Sequence, residues 1–401
     1  MTTNILDLAE DLELPDGTSH LREVVDHPGV DQILDRCHPI LVDVDDADER
    51  AKWLQLRPLG LGGSDTGAIF GLSPYKSPYT VWAEKTGRLP PIDLSTKEAI
   101  YWGVTLEPIV RAEFARRTGY RVFHPKVMLV ERDHPNLFIN LDGLYVDEYD
   151  RLLPFEAKTG GAHTARHWNP ERDWRTGDLV DEDWENGAVP PWYEAQTVRY
   201  AAGIGAPMAT IAVLLGGQRF EMRPIHVDDD LAATVTAGAE AWWNRHIAND
   251  TPDNPTPPPV DTSTDCTDTL AKLWSSRDDL ILADHDLLAT CVEYLDAHDQ
   301  LEDAKSRKTL AGNRIRAALG PAWTASALGR PVATWKPARA FDEAKFRKDH
   351  ADLWHQYAVP TLDYDRLKTE HPAVVDQYRT TSDEHRRLTV KPVARQLLDR
   401  A

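Results

Sequence analysis

Apolar positions along the chain follow two periods, and their order predicts an α/β (α+β) core. Two apolar runs, 137–146 and 152–155, flank the polar stretch Asp147-Glu148-Tyr149-Asp150-Arg151, the pattern of a β-hairpin. Short β-rich runs occur at 39–44, 120–123, 126–130, 210–215 and 219–227. Helical spacing occurs at 46–56 and at 77–87, which starts at Ser77-Pro78 and ends at Gly87. It recurs at 97–116, where Ile100, Val104, Ile109, Val110 and Phe114 mark an apolar stripe. Two more helices are expected at 190–200 and 228–246. Residues 1–50 are acidic and weakly patterned, and read as a mobile or loosely docked extension. The run Thr251 to Pro259, with five prolines, reads as a linker within 251–260. Beyond it, 261–401 reads as a mainly helical accessory domain with a small β element. Leu287, Leu288, Cys291, Tyr294, Leu295, His298 and Leu301 there suggest a packed helix pair.

The hairpin carries the chemistry. Alternate side chains on a strand share a face, so Glu156 and Lys158 point one way while Phe155 and Ala157 point into a core. Asp142 falls on the partner strand, just before Gly143. Glu107 lies near the edge of the apolar stripe of its helix, which makes an inward-facing carboxylate reasonable. Buried charges need partners. Asp142, Glu156 and Glu107, with the Ala157 carbonyl, could hold one or two Mg2+ or Mn2+ ions through oxygen ligands. Lys158 could orient or deprotonate a water for metal-assisted hydrolysis of a phosphodiester. An isolated Glu-x-Lys is equally a salt bridge at a strand end. A glycine loop, 60–67, opens a helix with Ser64 or Asp65 as cap. It could offer N–H groups to an anion or be a turn alone.

Composition narrows the class. A net charge of −20 argues against a general nucleic-acid coat but not against a DNA enzyme, because steering depends on the local field. Cys37, Cys266 and Cys291 are scattered, without a disulfide or zinc pattern, as expected in a reducing cytoplasm. The acidic N-terminus lacks a signal-peptide pattern, and no apolar run reaches membrane-spanning length. Lys305, Arg307, Lys308, Arg314 and Arg316 form a basic run, either a solvated face or a contact to a DNA backbone.

The spacing of Asp142 and Glu156-x-Lys158 resembles the PD-(D/E)xK nuclease superfamily, with Leu141 in place of the usual proline. Further stretches resemble its lambda exonuclease and YqaJ-like phage branch: Trp53-x-x-x-Arg57 with Gly62-Gly63-Ser64-Asp65, the run 72–87 ending Trp82-x-Glu84-Lys85-Thr86-Gly87, Trp102-Gly103-x-x-x-Glu107, and Trp192-Tyr193-x-x-Gln196-x-x-x-Tyr200. The match spans roughly 50–250. A looser one covers Val332 to Trp335, Phe341-Asp342 and Arg386 to Leu388.

This resemblance implies a restriction-endonuclease-like core, a mixed central sheet flanked by helices, in residues 51–250. It implies that Glu107, Asp142, Glu156 and the Ala157 carbonyl bind metal. Lys158 would position the water, Gln196 would stand beside it, and Arg57 and Ser64 would receive a 5′-phosphate. The family activity is 5′→3′ degradation of one strand of duplex DNA from an end. It leaves 3′ tails for a single-strand annealing protein. Ring-shaped homo-oligomers and a host-cell cytoplasm would follow for a phage-encoded enzyme. An endonuclease of restriction or repair type, or a non-catalytic DNA-end-binding protein, are the competing readings. The acidic segment 171–185 would repel DNA unless it faces away. Trp168, Trp174 and Trp184 would either stack on bases or pack a loop.

Overall fold

The structure is a computed structural model that describes residues 4–44, 46–90, 97–161, 164–168, 189–274, 280–336, 343–357, 364–378, 391 and 393–398. The chain separates into two compact units, 1–275 and 276–401.

The first unit opens with three short helices, α1 (Ile5–Asp11), α2 (Thr18–Val24) and α3 (Gly29–Arg36), and strand β1 (Cys37–Leu41). Next come α4 (Ala47–Leu56), a tight turn Arg57–Leu59, α5 (Gly63–Ile69) and α6 (Pro78–Lys85). The long α7 (Glu98–Thr118) leads into β2 (Arg121–Phe123), β3 (Val127–Glu131), β4 (Phe138–Asn140), β5 (Gly143–Val146) and β6 (Leu152–Gly160). Then follow α8 (Pro191–Ile204), β7 (Met208–Leu215), β8 (Arg219–His226), α9 (Asp229–Trp243) and α10 (Thr264–Leu273).

Two sheets result. One has the order β1-β3-β4, all antiparallel. The other has the order β2-β5-β6-β7-β8, antiparallel except for the β6–β7 pair. A parallel pair needs a crossover, and α8 supplies it. This is the mixed sheet flanked by helices that the sequence led us to expect. The 137–146 run is not one strand, however. It ends in the first sheet at Asn140 and resumes in the second at Gly143. Asp142 therefore sits in the break between sheets rather than on the partner strand.

Other expectations also change. The N-terminal segment is docked, not loose: Ile5, Ala9, Leu21, Val25, Val30 and Ile33 are buried in the main cores. Its apolar residues are spread thinly among acids, which hid their common face. The proline-rich stretch is pinned as well. Thr256 N–H donates to Asp250 at 2.8 Å, and Asp261 and Asp265 accept from Ser77 at 2.6 and 2.9 Å. In α7 only Val110 and Phe114 are buried, while Ile100, Val104 and Ile109 are exposed.

The second unit is built on α11 (His285–Leu319), which buries Leu288 and Leu295 and leaves Leu287, Tyr294 and Leu301 exposed. The expected helix pair becomes this one long helix with the short 393–398 helix against it, where Arg395 pairs with Asp296 at 2.8 Å and Asp299 at 2.7 Å. A two-stranded hairpin, 324–327 with 330–334, turns through Leu328 and Gly329, both at positive φ. The strand expected at 386–390, Trp174, Trp184 and the acidic segment 171–185 lie outside the described residues. No helix among the described residues is long and apolar enough to cross a membrane.

What positions the site is the seating of α8. Gly63 and Gly67 of α5 lie one turn apart against it. A Cβ at Gly63 would stand 2.1 Å from the Tyr200 ring, and one at Gly67 would stand 2.8 Å from the Trp192 carbonyl oxygen. From the other side, Arg199 of α8 makes a buried ion pair with Glu131 of β3. Alanine favours a helix over glycine by about 1 kcal/mol. Gly67→Ala is nonetheless expected to destabilise the protein by about 1–3 kcal/mol, because the wall it meets is backbone. A lowered urea midpoint at unchanged slope would show this; a raised midpoint would contradict the packing argument.

Candidate active site

Strand β6 places Glu156 at the centre of the five-stranded sheet, between β5 and β7. Its neighbours Phe155 and Ala157 point to the opposite face, where Phe155 lies 4.6 Å from Phe114 of α7, centroid to centroid. That alternation turns Glu156 and Lys158 toward α8. Glu156 is 1% exposed, and its Oε1 accepts from Lys158 Nζ and from Gln196 Nε2 at 2.5 Å. Its Oε2 is buried with no hydrogen-bond partner. Burial, then the nearby Asp142 and Glu107 carboxylates, push the Glu156 pKa up to about 8 despite the Lys158 ammonium. Burial works against the charge on Lys158 too, but Glu156 and Asp142 outweigh it and raise its pKa, so the ammonium stays protonated. The ammonium also lies 5.2 Å from the centre of the Tyr193 ring.

Asp142 reaches across the sheet break: its Oδ2 accepts from the Ala157 N–H at 2.8 Å. Its carbonyl accepts from Arg111, which also donates to Glu107 Oε1 at 3.1 Å. Arg111 thus joins the α7 acid to the Asp142 turn. The structure therefore brings Glu107, Asp142, Glu156, Ala157, Lys158 and Gln196 to one end of the sheet. It does not close them into a cage. Among the described residues, no group of three or more His, Cys, Asp or Glu side chains is arranged to hold a metal ion. The reason is visible in the partners: Arg111 holds Glu107, while Lys158 and Gln196 hold one oxygen of Glu156. Ala157 was expected to offer its carbonyl, but its recorded contact with Asp142 is through its N–H.

These residues still fit a hard divalent cation. The donors are carboxylate oxygens, one of them buried and unpartnered, and the three acids repel one another electrostatically. Glu107, Asp142 and Glu156 are the groups that could hold it.

A second cluster stands one helical turn further along α8, beside Tyr200. Asp65 is buried at the start of α5 and accepts from the Gly62 N–H at 3.2 Å, so Asp65 rather than Ser64 closes the helix start. Ser64 is exposed. Asp65 pairs with Lys85 at 2.9 Å and Lys76 at 3.3 Å. Burial opposes its charge, but Lys85, Lys76 and Arg57 overcome this and hold the carboxyl far below the usual range. The Arg57 guanidinium lies over the Trp53 ring at 5.0 Å.

Tyr200 links the two clusters. It is fully enclosed, its hydroxyl accepts from Gln196 at 3.4 Å, and its ring abuts Gly63. Burial first, then Glu156, Asp142 and Asp65, raise its pKa well above the ordinary tyrosine value.

Sequence reasoning missed three of these roles: Arg111 as the tie between Glu107 and Asp142, Asp65 with Lys85 and Lys76 as a buried network, and Tyr200 as the bridge. The i, i+4 spacing of Glu107–Arg111 and of Gln196–Tyr200 was the available signal. Trp168 is buried and stacked on Tyr193 at 5.9 Å, so it packs.

Residues 52–204 match the YqaJ-like viral recombinase domain. This segment is similar to the domain of that family. The match contains every site residue named above, from Arg57 to Gln196 and Tyr200. The chain is also 28% identical over 321 residues to the uncharacterized protein YqaJ of Bacillus subtilis (strain 168), covering 78% of this chain and 92% of that one. Two solved structures are similar at lower identity. The LHK-Exo complex with dAMP is 18% identical, with 48% of this chain and 91% of that one covered and a TM-score of 0.36. The alkaline exonuclease LHK-Exo from Laribacter hongkongensis is 16% identical, with the same coverage and a TM-score of 0.34.

Within the YqaJ-like domain, Gln196→Leu removes a hydrogen bond to a buried carboxylate. It is expected to cost about 1.5–3 kcal/mol, the range for bonds to charged groups. Urea unfolding measures this, and a change below about 0.5 kcal/mol would show that Gln196 is not holding Glu156.

Proposed function

We propose that this protein is a metal-dependent 5′→3′ exonuclease that degrades one strand of linear double-stranded DNA and leaves 3′ single-stranded tails. The observation that carries the reading is the buried, unpartnered Glu156 Oε2 set among Asp142, Lys158 and Gln196 on the central strand. The YqaJ-like viral recombinase match over 52–204 supports a DNA-processing role for that site. The tails would be the substrate of a single-strand annealing protein. A second copy of the chain, in a ring around the duplex, is part of the same reading.

Glu107, Asp142 and Glu156 would hold Mg2+ or Mn2+, with the Ala157 carbonyl beside them. When bound, such an ion polarises a phosphoryl oxygen and acidifies a water. The chain's own groups do the rest. The Lys158 ammonium, anchored by Glu156 and Tyr193, donates toward the attacking water and holds it in line with the phosphate. Gln196 fixes the Glu156 carboxylate from the α8 side, so that its free oxygen stays turned into the site. Arg111 keeps Glu107 and the Asp142 turn in register. On the far side of Tyr200, Arg57 and Ser64 would receive the 5′-phosphate, the guanidinium through charge-assisted hydrogen bonds. An end-binding cradle beside the cutting site favours an exonuclease over an endonuclease.

Two measurements test this. With Mg2+, the protein is expected to release nucleotides from 5′-phosphorylated ends of linear duplex and to spare closed circular DNA. Lys158→Ala is expected to lose at least about 100-fold in rate, as when one preorganised electrostatic group is removed. Cleavage of the circle, or undiminished activity in Lys158→Ala, would sink the proposal. Separately, without DNA, saturating Mg2+ or Mn2+ is expected to raise the melting temperature by several degrees. A ligand at 100 times its Kd stabilises by about 2.7 kcal/mol. EDTA should reverse the shift, and Glu156→Gln should abolish most of it.

A further inference from the structure

Lys85 occupies an unusual place. It ends α6, and its side chain is 3% exposed. Its Nζ donates to the backbone carbonyl of Arg57 at 2.7 Å and pairs with Asp65 Oδ2 at 2.9 Å. The same ammonium lies 5.7 Å from the centre of the Phe138 ring. Asp65 in turn accepts from the Gly62 N–H, and so fixes the first turn of α5, which bears Ser64. One buried ammonium therefore ties the turn that carries Arg57 to the helix start that carries Ser64. Lys76, anchored on Glu84 at 2.6 Å and on Asp65 at 3.3 Å, braces Asp65 from the opposite side.

We propose that Lys85 is a positioning residue that sets the spacing between Arg57 and Ser64 and thereby gives the protein its preference for a 5′-phosphorylated DNA end. The proposal rests on the reading of Arg57 and Ser64 as the 5′-phosphate cradle. A phosphate gripped by a guanidinium and a hydroxyl rewards a fixed geometry, and a misplacement of about 1 Å weakens such contacts steeply. The anchor is well chosen for that purpose. Its bond to Arg57 goes to the backbone carbonyl, which leaves the guanidinium for the ligand. Asp65 neutralises its charge, so the anchor adds no competing cation at the surface.

The test uses the full chain and linear duplexes that differ only in a 5′-phosphoryl or a 5′-hydroxyl end. Binding is measured by fluorescence anisotropy in EDTA, where no turnover occurs. The native protein is expected to bind the phosphorylated end more tightly. Lys85→Met keeps the aliphatic stem, and is expected to lose about tenfold in affinity for that end, about 1.4 kcal/mol, with the hydroxyl end unchanged. In Mg2+ the same variant should raise KM for phosphorylated ends about tenfold and leave kcat within about twofold, a split that general loosening of the fold would not produce. A folded Lys85→Met that keeps the native preference overturns the proposal. If Lys85→Met does not fold by circular dichroism, Asp65→Asn/Lys85→Met removes both buried charges while keeping an acceptor for the Gly62 N–H. Loss of preference in the double variant supports the proposal, and retention overturns it. Arg57→Ala separates the two ideas: if it leaves the native preference intact, the cradle reading itself fails, whatever Lys85 does.

Discussion

The burial of Glu156 is the constraint on which the site depends. A carboxylate at the centre of a sheet is costly to desolvate, and the cost is met only if its surroundings are exact in shape and polarity. Lys158 two residues along the same strand and Gln196 on α8 provide this, and each needs a different element in place. The strand supplies the first by simple alternation. The second requires α8 to lie close enough for an amide to reach the carboxylate, and that closeness comes from Gly63, Gly67 and the buried Arg199–Glu131 pair. Packing that looks like ordinary core construction therefore serves to hold one side chain. The oxygen left over, Glu156 Oε2, is where the internal compensation stops.

The same helix connects two buried charge clusters. Tyr200 feels the charges of Glu156 and Asp142 in one cluster and of Asp65 in the other. Both clusters follow a common rule. Acids and bases are buried in alternation, so that each charge is offset locally. Arg111 does this for Glu107, Lys85 and Lys76 for Asp65, and Lys158 for Glu156.

Much of this was legible in the sequence. The alternation at Phe155-Glu156-Ala157-Lys158 told which side chains share a face, because a strand has a fixed period. The turn 147–151 and the helices at Pro78 and Pro191 carried their own signals. What was not legible depended on contacts between distant segments. The apolar run through Leu141 concealed a change of sheet at Asp142, since both halves are apolar and only the partners differ. The N-terminal helices looked loose because each contributes only one to three buried residues. Either Ser64 or Asp65 could have capped the helix after the glycines, and only the fold shows that Asp65 takes the Gly62 N–H while Ser64 stays exposed. Lys85 stood out only as part of the run 72–87, and only the fold shows that it points inward to a carbonyl 28 residues away.

The net charge of −20 then takes on a different meaning. With so acidic a chain, the net charge itself supplies no long-range attraction for a polyanion. Under the proposed reading, recognition would come from contacts at short range, where Arg57 over Trp53 presents a cation on a rigid base and Lys158 presents another beside the buried acids. A surface that repels the length of a duplex while gripping a terminal phosphate would discourage unproductive binding along the helix and favour capture of ends. Acidity, in this view, is compatible with end-specific action, provided that the cations of the proposed site are held in place by their neighbours.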